Sequence, residues 1–132
     1  MENTAALLGT WRMVSWTRTA IATGVTTDAM GPNPNGYIAY HADGRMMALV
    51  VDRRGREPAA PFATDADKAS LFDSMLAYAA SYRIEGDQVI HSVDAAWHPA
   101  WGGDLVRPFT PRGNGVDTFG PIEITHATYD NP

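Results

Sequence analysis

Two hairpins constrain this chain more than anything else in it. Tyr37-Ile38-Ala39-Tyr40-His41 is a short β-prone run, Ala42-Asp43-Gly44-Arg45 is a turn with Asp-Gly at its centre, and Met46 to Val51 runs back. The pattern recurs at Ser81 to Glu85, a turn at Gly86-Asp87, and Val89 to Ala95. An earlier strand around Gly9 to Thr17 alternates Trp11, Met13, Ser15 and Thr17 against Arg12, Val14, Trp16 and Arg18. Neither set is cleanly polar, which predicts a barrel strand covered on its outer side by another element or a partner chain. Leu105 to Thr110, interrupted by Pro108, and Ile122 to Tyr129 complete the strands.

One helix is predicted over roughly Asp65 to Ala80. Thr64 can cap it, Asp65 and Asp67 sit where the helix dipole favours anions, and Ala69, Phe72, Met75, Leu76 and Ala79 recur at three- and four-residue steps. Its apolar face, with Phe72 and Met75, is expected to dock on the sheet. Gly31-Pro32-Asn33-Pro34-Asn35-Gly36 reads as a chain of turns, and Trp97 to Asp104 as irregular. Turn-punctuated strands with a single inserted helix predict a mainly β, antiparallel barrel rather than a parallel α/β sheet.

The chain has 132 residues, so residues 1–132 are read as a single domain. Cysteine is absent, which excludes disulfides, a thiolate nucleophile and Cys-ligated metal sites. A formal charge of −5, with no basic block beyond Arg53-Arg54-Gly55-Arg56, argues against nucleic acid as a partner. The start lacks a basic n-region and no run approaches the length of a membrane span, so a soluble, cytoplasmic protein is expected.

Four segments together carry a resemblance. Leu8-Gly9-Thr10-Trp11-Arg12-Met13-Val14-Ser15-Trp16 resembles the opening strand of the bacterial and fungal lipocalin-like domain family. Gly31 to Tyr40 with Asp43-Gly44-Arg45-Met46, then Leu76-Ala77-Tyr78-Ala79, then Trp101-Gly102 before Arg107, follow in the family's order. The likeness covers roughly residues 7 to 110 and implies a small calycin-type barrel with an inserted helix and an interior cavity. Trp11 would plug its floor, and Trp11, Met13 and Arg107 are expected among the ligand-binding residues. Arg107 matches the arginine after the family's Trp-Gly segment. The last strand ends His126-Ala127-Thr128-Tyr129-Asp130 where the family has a Trp-Glu-Arg type of strand, which implies shortened or rearranged closing strands. Some family members are encoded beside natural-product biosynthesis, which points to polyketide- or terpenoid-like ligands.

The residues themselves carry little reactive signature. There is no nucleophile elbow, P-loop or dinucleotide fingerprint. His41, His91, His98 and His126 lie on separate segments without metal-ligand spacing, so neither metal nor cofactor is expected. His91 is the exception worth following, because its alternation with Val89 and Val93 puts it on the more apolar strand face. Burial there would lower its pKa and leave a neutral imidazole able to move a proton, with Tyr82 as partner; a histidine hydrogen-bonded to a neighbouring tyrosine is the plainer outcome. Tyr37, Tyr40 and Tyr78 are further donors for a ligand carbonyl. Met46 and Met75 suit an adaptable pocket, and Trp97 and Trp101 suit stacking at its rim. The expected function is binding of a small, mostly hydrophobic molecule inside the barrel. A cofactor-independent isomerase or cyclase is the first alternative, and a filled-barrel homodimer joined through Val14 and Trp16 the second.

Overall fold

The computed structural model describes residues 7–54, 64–86, 88–110, 115–119 and 123–130, and no side chain at 101, 105–110, 115–119 or 123–124. In chain order the elements are β1 (Gly9–Ala20), β2 (Thr26–Asp28), β3 (Asn35–Tyr40), β4 (Arg45–Val51), α1 (Asp65–Asp73), β5 (Met75–Glu85) and β6 (Gln88–Ala96). A 3-10 turn at Pro99–Trp101 leads to β7 (Gly103–Thr110), β8 (Gly115–Phe119) and β9 (Glu123–Asp130). All strand pairs are antiparallel. From β3 to β9 each strand pairs with the next, and the sheet curls until its ends meet on β1. There Gly9 to Arg12 pair with β3, while Arg12 to Ala20 pair with β9. The closing strand is therefore not rearranged, despite its unusual sequence, since β9 pairs with β1 along Arg12 to Ala20; β2 extends the far end of β1 as a short ribbon.

Both hairpins form where the sequence puts them. In the first, Gly44 N–H bonds to His41 O at 3.2 Å and Gly44 sits at φ 85°, a conformation that glycine adopts at little cost. Asn35 and Gly36, read as loop, already belong to β3. Gly36 lies on the inner side, where a Cβ would come within 2.9 Å of Val50 Cγ2, so its missing side chain is what makes room for Val50. Pro108 does not interrupt β7, since it remains in register opposite Gln88.

Two further expectations are corrected. The helix ends at Asp73 rather than Ala80. Thr64 caps it as predicted, its hydroxyl accepting the Asp67 N–H at 3.1 Å, but none of its residues is buried, so no apolar helix face docks on the sheet. From Met75 onward the chain is strand, with Leu76, Tyr78 and Ala80 buried between less buried neighbours. An alanine-rich stretch satisfies either period; here β4 and β6 flank it on both sides, and burying Leu76 and Tyr78 outweighs helix propensity.

The second correction concerns β1, where the register shifts between Met13 and Ser15. The bulge at Val14 breaks the simple alternation, so that Met13 lies opposite Tyr129 and Trp16 opposite buried Ala127. Trp16 consequently packs against the core while Val14 is half-exposed. The outer patch expected from Val14 and Trp16 together does not form.

Candidate functional site

Strand alternation turns one row of side chains inward: Ile38 and Tyr40 from β3, Met46, Ala48 and Val50 from β4, Leu76, Tyr78 and Ala80 from β5, and Val89, His91 and Val93 from β6, all buried. Met13 and Ala127 join them from β1 and β9. In this apolar lining His91, fully buried, is the one buried polar or charged side chain among the described residues.

Both ring nitrogens of His91 are engaged. Nε2 lies 2.6 Å from the Tyr40 hydroxyl and Nδ1 lies 2.8 Å from the Tyr78 hydroxyl, so three strands contribute to one Tyr–His–Tyr cluster. A neutral imidazole has one N–H and one bare nitrogen. Around a neutral His91 ring, one phenol donates to the bare nitrogen and the other accepts from the N–H. Swapping the tautomer exchanges these roles. The arrangement satisfies a buried polar group that would otherwise cost about 1–3 kcal/mol, and it can also hold or relay a proton.

Tyr82, proposed from sequence as the partner of His91, stands directly opposite it in the β5–β6 register but is engaged elsewhere. Its hydroxyl donates to His41 O at 2.9 Å, and its ring stands edge-on to Tyr40 with centroids 4.9 Å apart. Burial, followed by the nearby Asp43 carboxylate, raises the Tyr82 phenol above its ordinary range. Tyr82 thus braces Tyr40. From sequence Tyr40 is only a general donor; its shared parity with Ile38 is the signal for an inward position.

The remaining candidates divide. Met13 and Met46 lie in the interior. Trp11 packs against the core near one end, its Nε1 donating to Leu7 O at 2.9 Å. Tyr37 does not line the interior: it is 45% exposed on the outer face. Met75 shares the outward parity of Ala77 and Ala79, opposite to buried Leu76. Trp97, expected at the rim of the interior, borders the outer concavity beside Ala77 instead, its Nε1 donating to Phe72 O at 3.2 Å and its ring beside Phe72 and His98. Trp101 lies in the 3-10 turn and Arg107 lies opposite Val89; their side chains are outside the described residues.

Among the described residues no three His, Asp or Glu side chains gather as a metal site, and no helix is long and apolar enough to cross a membrane. The deciding comparison is with sequence families: the profile of the lipocalin-like domain matches residues 8–120. The chain belongs to the lipocalin-like domain family. No curated protein and no solved structure matches it. Family membership and the curled antiparallel sheet fit a barrel of the hydrophobic ligand-binding type.

Proposed function

We propose that the chain binds a small, mostly apolar molecule inside the barrel and orients it by a polar contact to the Tyr40–His91–Tyr78 cluster. One observation carries this reading: a fully buried histidine, hydrogen-bonded at both nitrogens by Tyr40 and Tyr78, in a lining otherwise made of Met, Val, Leu, Ile and Ala. An apolar wall supplies affinity through area removed from water, and a single convergent polar group supplies orientation. The ligand class that matches is a hydrophobic ring system with one carbonyl or hydroxyl oxygen.

The test is a titration of the purified chain with 1-tetralone, a bicyclic aromatic ketone, beside a native mass spectrum for any retained guest. Saturable binding that Leu76→Trp abolishes by filling the interior, and that Tyr78→Phe weakens, is expected. Binding indifferent to Leu76→Trp would overturn the reading.

A second reading is supported by the same hydrogen bonds. With a base and two phenols in series, the cluster is suited to taking a proton from carbon next to a bound carbonyl and returning it elsewhere, as an isomerase or cyclase requires. Its test is exchange of the α-hydrogens of 1-tetralone in D2O. Acceleration by the wild-type chain that His91→Ala removes without loss of binding supports catalysis, and equal rates in both proteins contradict it.

A further inference from the structure

At one end the outer side of β3 to β5 is apolar, as the inner side is; towards the other end it carries Arg45, Ser81, Arg83 and Glu85. Tyr37, Met47 and Leu49, at the apolar end, are 45%, 57% and 47% exposed. Tyr37 lies opposite Leu49, Ala39 opposite Met47, Met47 opposite Ala79, Leu49 opposite Ala77 and Ala79 opposite Ala95. Large side chains of β3 and β4 therefore form a ridge. The alanines of β5 and β6 form a trough beside it, walled on the far side by Trp97. The result is a shallow concavity of about 510 Å³.

We propose that this face is a two-fold interface with a second copy of the chain, in which Met47 and Leu49 of each copy seat in the Ala77–Ala79–Ala95 trough of the other. A two-fold contact must be self-complementary, and a ridge and a trough running side by side on one face meet that demand directly. Charge agrees. The chain carries −5 overall, yet none of the residues forming ridge or trough is ionisable except Tyr37. At the rim, Arg45 and Asp94 neutralise one another through two 2.9 Å hydrogen bonds. Like-charged copies thus meet where neither presents net charge.

Size sets the strength. Three strands about 4.8 Å apart and about six residues at ~3.3 Å each give roughly 300 Å² of projected face per copy. Doubled and extended by Ala95 and the Trp97 wall, that reaches about 800 Å², below the range of a stable contact, so the dimer is weak and dissociates at high micromolar concentration.

Sedimentation velocity on the intact chain, from about 1 µM to about 1 mM, tests this. A concentration-dependent monomer–dimer equilibrium is expected, weakened at least tenfold by Met47→Asp and by Ala79→Glu, and unchanged by Val14→Asp on a different part of the surface. Circular dichroism and thermal melting identify any variant that loses its fold, and the two interface variants test the contact independently. A monomer throughout the range, or a dimer that neither interface variant weakens, overturns the proposal. Both outcomes are independent of tetralone binding.

Discussion

The two faces of β3 to β6 are built from the same strands, often from adjacent residues, and yet they do different physical work. Met46 is fully buried in the barrel, whereas its neighbour Met47 is 57% exposed. Inward, apolar side chains surround a histidine engaged at both ring nitrogens; outward, the apolar patch holds no buried polar group and meets charge only at its edge, where Arg45 pairs with Asp94. An antiparallel sheet facing water on one side ordinarily alternates apolar with polar. Its failure to do so over this patch teaches that apolar character alone does not distinguish the two faces: the inner face encloses a hydrogen-bonded histidine, and the outer patch has only shape.

The largest expected contrast comes from the methionine pair. Met46→Ala removes a fully buried side chain and should cost about 2–5 kcal/mol in urea unfolding. Met47→Ala should stay within about 0.5 kcal/mol for the monomer. Equal losses would break the distinction between the two faces.

Next, Gly36→Val puts a branched side chain against Val50 and should destabilise by about 1–3 kcal/mol through overpacking, read as a lower urea midpoint. Tyr78→Phe removes one bond to buried His91 and should cost about 1–3 kcal/mol. By comparison, Tyr37→Phe on the outer face should be near neutral. A neutral Tyr78→Phe would mean that the cluster contributes nothing to holding the interior together.

The smallest effect belongs to the rim. The Arg45 guanidinium, by hydrogen bond and then by charge, holds the Asp94 carboxyl below its ordinary range. A depressed carboxyl pKa favours the folded state above the unfolded-chain pKa, near 3.9, and loses that contribution as pH falls through the folded value. Both side chains are exposed, so Asp94→Asn should flatten acid unfolding only slightly, and less in high salt.

Much of the inner face was legible in the sequence because it rests on short-range rules. Asp43-Gly44 and the turn after Glu85 mark the hairpins in the sequence, and period-two alternation puts His91 inside. What escaped depends on partners distant in the chain. Leu76 to Ala80 fits a helix as well as a strand until β4 and β6 flank it. The bulge at Val14 appears only through pairing with β9, more than a hundred residues later, and it reverses the side on which Trp16 falls. Similarly, the adjacency of His91 and Tyr82 in the hairpin suggested a pair, but the hydroxyl bonds to His91 come from Tyr40 and Tyr78.

The central claim is that the Tyr–His–Tyr cluster is the polar contact of an interior ligand. Long-range proton–nitrogen correlation spectra of the His91 ring, recorded while 1-tetralone is added, test it most directly. Saturable shifts of both ring nitrogens, absent in the Leu76→Trp variant, are predicted. Ring signals that stay fixed while tetralone binds would contradict it.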